Sequence, residues 1–155
     1  MQQLKLMALD QEDLQVISAH LQDAVLRIAD IAYVPSDSRF AMVVNRFDWV
    51  GAGDGGKRSK KEFQRLRTAL RFDRVLSAKF KKIKLSAEDA VLELLTVQFE
   101  ESSKPEGYIT LVFAGGGAIR LHVECIEAEM RDLGPVWKTK NLPEHEDGGD
   151  AAAET

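Results

Sequence analysis

Two glycine-rich segments have a composition that phosphate-binding loops use. The first, Gly51 to Gly56, matches the spacing G-x-G-x-x-G, and through Lys57 it falls one residue short of a P-loop, because Arg58 stands where Ser or Thr must hold Mg²⁺. A dinucleotide site needs this turn to lead from a strand into a helix, whereas the residues that follow here alternate like a strand. We therefore interpret the segment as a flexible hairpin loop and predict no cofactor.

The second segment is Gly115, Gly116 and Gly117. Successive backbone N–H groups in such a turn can cradle an anion. A hairpin turn that needs positive φ explains the same three residues without a ligand. Because His122 follows shortly after, a small-molecule site or a small enzyme built from this hairpin and His122 is one hypothesis for the function.

The other candidates for catalysis or metal binding are isolated residues. The three histidines, His20, His122 and His145, share no metal-ligand spacing. Cys125 is the single cysteine and cannot form an internal disulfide, which favours a reducing compartment such as the cytoplasm. We predict no metal site and no catalytic residue; whether the protein is an enzyme stays open, with a non-enzyme favoured.

Basic residues are concentrated between positions 57 and 84, which we call the basic segment. It holds twelve Lys or Arg against two acids, a net charge of +10, although the 155-residue chain as a whole carries −4. On a strand, the odd-numbered bases of this segment project to the same side. The predicted basic face consists of Arg65, Arg67, Arg71, Lys79 and Lys81 on the strand and of Lys57, Arg58, Lys60 and Lys61 in the loop before it.

Such a face could bind an acidic protein, anionic lipid or another polyanion. Phe72 and Phe80 point to the opposite side, which leaves no stacking platform for bases and weakens the case for nucleic acid. A solvated face that keeps a sheet edge charged is the simpler explanation. The leading functional hypothesis is a non-catalytic binding module for an acidic partner; a homo-oligomer with Trp49 and Trp137 at its interface is a further alternative.

The elements that position these residues are mostly β-strands. From Leu66 to Phe80 the even positions are apolar apart from Thr68 and the main exception, Arg74, and the other charged residues occupy odd positions, a period of two. This predicts one bent strand or two strands joined at Asp73 and Arg74, with a helix over 59–70 as the weaker alternative. Further strands are predicted over 4–9, 25–34 with a bulge near Asp30, 39–50, 91–100, 108–113 and 118–123.

Two helices are predicted, one near each end. Asp10 is the expected N-cap of the first. The second begins near Glu124 and ends at Gly134 and Pro135. Their apolar positions have helical spacing: Leu14, Ile17 and Leu21 in the first, and Ile126, Met130 and Leu133 in the second.

These elements predict an α+β fold: a bent antiparallel sheet or roll of about seven or eight strands, an N-terminal helix and a C-terminal capping helix. Residues 1–142 are expected to form one globular domain. The last thirteen residues, 143–155, hold five acids and no Lys or Arg, and we predict that they form a disordered tail.

Four segments carry a family resemblance. They are Ala69 to Leu76 (ALRFDRVL), Val91 to Leu95 (VLELL), Phe113 to Leu121 (FAGGGAIRL) and Arg131 to Trp137 (RDLGPVW). Together they resemble an uncharacterised bacterial family, domain of unknown function 2948. The resemblance implies a bacterial cytosolic protein and carries no activity or functional residues. The order of strands followed by one helix is also similar to a pleckstrin-homology-like roll, in which the terminal helix closes one end of the sheet.

Overall fold

The computed structural model describes residues 3–48 and 65–136, and in these ranges the chain forms one α-helix and ten β-strands. The helix is α1 (Gln11–Leu21). The strands are β1 (Lys5–Ala8), β2 (Ala24–Arg27), β3 (Ile31–Val34), β4 (Arg39–Phe47), β5 (Arg65–Phe72), β6 (Val75–Lys81), β7 (Val91–Glu101), β8 (Gly107–Phe113), β9 (Ala118–Val123) and β10 (Ala128–Pro135).

All ten strands belong to one antiparallel sheet. Neighbouring strands follow the order β1-β10-β5-β4-β2-β7-β8-β9-β6, and β3 pairs with β4 outside this path. The sheet is open, because β1 and β6 end the order and do not pair with each other. The prediction of a mostly antiparallel sheet with an N-terminal helix is confirmed, with about ten strands rather than seven or eight.

The connection between β5 and β6 requires the sheet to curl. Six inter-strand spacings separate these strands in the order, which would place them about 29 Å apart in a flat sheet. Only Asp73 and Arg74 join them, and three residue steps span at most about 11 Å. The aromatic rings of Phe40 on β4 and Phe80 on β6 accordingly lie 6.4 Å apart, centroid to centroid, across the core.

Helix α1 forms as the sequence predicts. Asp10 is its N-cap, and the backbone N–H of Asp13 donates to the Asp10 carboxylate at 2.8 Å. Leu14, Ile17 and Leu21 are buried in the core. On the same helix, Ser18 accepts a hydrogen bond from the backbone N–H of Val97 at 2.9 Å, which attaches α1 to β7.

The described part of the basic segment, from residue 65 on, forms two strands rather than one. Residues 65–70, for which a helix is the weaker alternative, belong to β5. Arg74 has a left-handed φ of 63° in the connection to β6 and points outward, where it donates to Glu127. This conformation ends the alternation of β5 without placing a charge in the core.

The predicted C-terminal capping helix is wrong. The chain forms β10 here, which pairs with β1 on one side and with β5 on the other. Ala128, Met130 and Asp132 face the core with a period of two, and Glu129 on the outer side is also buried, where it pairs with Arg71. The sequence does not show this strand period clearly, because one of the inward residues is the polar Asp132. In addition, the apolar Leu133, which lies at a register shift, is exposed.

Several predictions lie outside the described residues. These are the glycine-rich loop at 51–56, the bases at 57–61, Trp49, Trp137 and the acidic tail at 143–155. The predicted boundary between a domain at 1–142 and this tail therefore stays a prediction.

Candidate binding site

The strand residues of the predicted basic face lie on two separate parts of the sheet. Arg65, Arg67 and Arg71 are on β5, between β10 and β4. Lys79 and Lys81 are on β6, whose partner is β9. Because β5 and β6 are not neighbours, their outward side chains do not form one strand face. The binding role of these residues stays a prediction, and each half has to be considered separately.

On β5, Arg71 is compensated by acidic neighbours. Its guanidinium contacts Asp73 at 2.9 Å and Glu129 of β10 at 2.7 Å, and Arg39 donates to Asp73 at 2.9 Å. Burial raises the pKa of Asp73, but the hydrogen bonds from Arg39 and Arg71 lower it by a larger amount. The net shift of the pKa is therefore downward. The hydrogen bond to Asp73 raises the pKa of Arg71. Arg71 therefore holds the outer surface of β5 and β10 together.

On β6 the surroundings are different, because the neighbouring strand adds positive charge. The register of β6 and β9 places Ser77 opposite His122 and Lys79 opposite Arg120. The register of β9 and β8 then places His122 opposite Tyr108. These side chains share the outer face of the sheet, since the alternate residues of β8 and β9 are buried in the core.

Lys79 and Arg120 form a cross-strand pair of like charges, which we call the β6–β9 cation pair. Both residues are exposed, and neither takes part in a salt bridge with any residue in the ranges 3–48 and 65–136. Like charges directly opposite each other destabilise a sheet. The guanidinium of Arg120 also lies over the ring of Tyr108, 3.9 Å from its centroid, which holds its position.

His122 is held between an aromatic ring and a carboxylate. Its ring stacks on that of Tyr108 with centroids 4.8 Å apart, and its Nε2 lies 2.5 Å from a carboxylate oxygen of Glu106. Glu106 ends a tight turn in which its carbonyl accepts hydrogen bonds from the backbone N–H and the hydroxyl of Ser102. The turn before β8 thus places an acid against the histidine of β9.

A shallow cavity of about 120 Å³ lies at the centre of this arrangement. We call it the cationic pocket, and it is lined by Ser77, Lys79, Tyr108, Arg120 and His122. Sites for drug-sized molecules usually enclose about 300–1,000 Å³. The cationic pocket is therefore suited to one anionic group, such as a carboxylate or a phosphate, rather than to a whole dinucleotide.

The glycine hairpin lies at the other end of β9. Gly115 and Gly116 have φ of +88° and +94°, and the N–H of Phe113 donates to the carbonyl of Gly117 at 2.9 Å, as in a tight turn. Five residue steps along the strand separate Gly117 from His122, a distance of about 17 Å. The structure therefore does not bring the hairpin and His122 into one site. Its role as an anion site stays a prediction.

A buried polar cluster was not foreseen from the sequence. Arg46 of β4 and Asp132 of β10 have fully buried side chains and form two hydrogen bonds, at 2.9 and 2.8 Å. The hydroxyl of Thr68 and the backbone N–H of Leu4 also donate to Asp132, at 2.8 and 2.9 Å. Burial raises the pKa of Asp132, but the hydrogen bonds from these three donors lower it by a larger amount. Its pKa therefore lies below the ordinary value.

His20 lies beside this cluster on α1. Its Nδ1 is buried and has no hydrogen-bond partner among the described residues. Burial lowers the pKa of His20, and the positive charge of Arg46 lowers it further. The neutral ring is thus the favoured form. The parity of β4, which places Arg46 on the same face as Met42 and Val44, is the sequence signal that would have found the cluster.

The remaining candidates carry little chemistry. Cys125 is partly buried and free. Within residues 3–48 and 65–136, no group of three or more His, Cys, Asp or Glu side chains is arranged to hold a metal ion. In the same ranges no helix combines the length and the apolarity that crossing a membrane would require.

Comparison with known proteins gives one match. The model of the family described as "Protein of unknown function (DUF2948)" matches residues 4–145. No curated protein and no solved structure matches the chain. The match agrees with the resemblance seen in the four sequence segments, and it spans all of the residues that line the cationic pocket.

Proposed function

The chain belongs to the DUF2948 family of proteins of unknown function, and from the geometry of the cationic pocket we propose that it is a non-catalytic binding module for an acidic protein segment. The proposal keeps the acidic partner expected from the basic segment. It moves the centre of the site from β5 to β6 and β9, and it adds Arg120 and Tyr108 to the residues that contact the partner.

The β6–β9 cation pair is the observation that carries this proposal. Holding Lys79 opposite Arg120, with no acid among the described residues paired to either, costs stability. A carboxylate placed between the two side chains would remove the repulsion and accept hydrogen bonds from both. A pair that is unfavourable in the free protein and favourable in a complex is typical of a binding site.

The surroundings of the pair favour a protein segment over single-stranded nucleic acid. The ring of Tyr108 already contacts His122 and Arg120, so it offers no open platform for a base. The cationic pocket takes one anionic group at a time. A side-chain carboxylate of Asp or Glu matches both its size and its charge.

A small enzyme acting through His122 is the second candidate. It is favoured by the 2.5 Å contact with Glu106, which would orient the ring as in a general base, and by Ser77 opposite His122. However, the hydrogen bonds among the described residues do not include one between Ser77 and His122. Ester hydrolysis that disappears in His122→Ala would favour this candidate.

Other expectations from the sequence stay predictions. They are a bacterial origin, a cytoplasmic location, and a homo-oligomer with Trp49 and Trp137 at its interface; a strict monomer in light scattering would remove the last. The likeness to a pleckstrin-homology-like roll also stays a prediction. The C-terminal helix on which it rested is the strand β10.

Binding of a fluorescent acidic peptide, measured by anisotropy at low and raised salt, tests the proposed function. The double variant Lys79→Glu/Arg120→Glu should lower the affinity by about tenfold or more, since two attractive contacts become repulsive. The wild-type affinity should also fall as salt rises, because exposed charges are screened.

Lys84→Glu provides a control, because it reverses an exposed charge outside the cationic pocket. It should leave the affinity within about twofold. Equal losses in the control and the double variant would overturn the proposal. Salt-sensitive binding to heparin, RNA or anionic vesicles, without binding of the peptide, would identify a different partner.

A further inference from the structure

We propose that the acidic segment binds as an additional β-strand along the free edge of β6. This inference rests on the proposed function and specifies the shape of the partner. Addition of a strand to a sheet edge supplies affinity through main-chain hydrogen bonds and specificity through alternate side chains.

The edge of β6 is available for pairing beyond its first residue, Val75, whose backbone N–H donates to the carbonyl of Ser38 at 2.9 Å. β6 is the last strand of the order, and among the described residues it pairs with β9 alone. It is seven residues long, whereas β1 and β3, which also have one partner each, are four residues long. Short edge strands resist pairing with another chain, and long ones invite it.

The two sides of β6 present different chemistry to an incoming strand. On the outer side are Lys79 and Lys81, both exposed, and Lys79 also lines the cationic pocket. On the inner side Ala78 and Phe80 are only partly buried, whereas Ile119 and Leu121, their partners on β9, are fully buried. Apolar surface is therefore left uncovered at this edge of the core.

The other two edges do not have this combination. β3 is flanked by the acids Asp30 and Asp37 in the turns on either side of it. The lysine of β1, Lys5, is paired with Glu129 at 3.7 Å. Neither edge offers an acidic segment an unpaired cation, because β3 (Ile31–Val34) contains no Lys or Arg.

The partner that fits β6 alternates acidic and apolar residues. Directly opposed residues on paired antiparallel strands have Cβ atoms about 4.5–5.5 Å apart, which suits a Glu opposite Lys79 and another opposite Lys81. The residue between them would then cover Phe80, and the apolar residue on the other side of the first Glu would cover Ala78. A shift of one residue would place the acids against Phe80, so the alternation determines the register.

Two peptides of equal composition and charge but different residue order test whether binding depends on alternation or on charge alone. Both contain about eight residues of Glu and Val, one in strict alternation and the other with the four Glu grouped together. The alternating peptide should bind about tenfold more tightly to the full chain, because it alone can pair both faces of β6. Its binding should protect alternate N–H groups of β6 from hydrogen exchange.

N-methylation of the alternating peptide tests the main-chain hydrogen bonds directly. Methyl groups on every second residue block one edge of the peptide, and a second version blocks the other edge. One version should lose binding and the other should keep it, because an added strand uses only one of its edges. Equal effects of the two versions would overturn strand addition.

The outcomes distinguish this inference from the proposed function. Equal binding of the alternating and grouped peptides, lost in Lys79→Glu/Arg120→Glu, would support the acidic partner and overturn strand addition. No binding of either peptide would overturn both.

A purely protective role for the lysines of β6 gives a different result. In that case Lys79→Ala/Lys81→Ala would increase self-association in light scattering, and the wild type would bind neither peptide. Weaker binding of the alternating peptide by about three- to tenfold, with an unchanged monomer, is the result expected from strand addition.

Discussion

Arg46 shows how one residue can contribute to the core without being apolar. Its side chain is fully buried and shares two hydrogen bonds with Asp132, which also accepts from Thr68 and from the backbone of Leu4. Every oxygen of the carboxylate is therefore satisfied. Such a pair contributes little net stability over an apolar pair, but its parts are costly to separate.

Removing one partner of this pair should destabilise the fold strongly. Arg46→Met should lower the free energy of unfolding by about 3–5 kcal/mol, because Asp132 is left as an uncompensated buried charge. The double variant Arg46→Met/Asp132→Leu should recover a large part of this loss. Urea unfolding of the two single variants and the double variant measures the coupling. Strictly additive losses would show that the two side chains do not act as a unit.

The same pair predicts the direction of the pH dependence. The folded-state pKa of Asp132 is lowered, so the unfolded state binds its proton first as the pH falls. The stabilisation is therefore present above the unfolded-state value near 3.8 and is lost as the pH falls through the folded-state pKa. Asp132→Asn should have a flatter stability profile in this acid range than the wild type.

At the scale of elements, the cationic pocket depends on the start of β8. Gly107 faces Glu101 and Val123 on its two neighbouring strands. A Cβ atom at Gly107 would lie 2.6 Å from the backbone oxygen of Glu100 and 2.5 Å from the ring of Phe99. The close approach of β7 and β8 at this point requires glycine. It also positions Tyr108, the next residue.

Gly107→Ala should therefore destabilise the protein by about 1–3 kcal/mol, because the backbone of β7 must move to admit the methyl group. Thermal unfolding measures the loss, and NMR of the His122 ring reports the displaced contact with Tyr108. Gly115→Asn is the matched control, since nothing lies within 4 Å of its Cβ position and Asn tolerates the positive φ. A smaller loss in Gly107→Ala than in the control would contradict the packing argument.

At the scale of the whole molecule, the curled sheet divides the basic segment. The sequence places +10 between residues 57 and 84, but Arg71 of β5 is paired with Glu129 of β10, whereas Lys79 of β6 faces Arg120 of β9. The like-charged pair that is open to a partner therefore lies at one edge of the sheet. It includes a residue, Arg120, that lies outside the basic segment.

The acidic tail, residues 143–155, should compete with a partner for this surface. Its five acids and absence of Lys or Arg give it the charge that the cationic pocket attracts. Deleting residues 143–155 should strengthen peptide binding by about two- to tenfold at low salt, and the gain should vanish at high salt. Anisotropy titrations of the two chains at both salt concentrations measure it. An unchanged affinity at low salt would rule out the competition.

Part of the site could be predicted from the sequence. The alternation of β8 and β9 directs Tyr108, Arg120 and His122 outward, and the hairpin between the strands sets Tyr108 opposite His122. The pairing of β6 with β9 was not within reach, because it joins residues about forty positions apart. The sequence predicts that Lys79 belongs to a basic face, but it does not predict that Arg120 lies opposite Lys79 on the neighbouring strand.

The sequence by itself determined the local elements: helix α1 with its Asp10 cap, the hairpin of β8 and β9, and the alternation of β5 and β6. Periodicity reports which residues of one element face a core, so these predictions needed no distant partner. Only the tertiary structure decided that residues 128–135 form a strand, that Arg46 and Asp132 can be buried, and that Lys79 meets Arg120. These features depend on the pairing of segments that are far apart in the sequence. The energy of that pairing comes from many contacts between the segments, and the pattern within one segment does not reveal them.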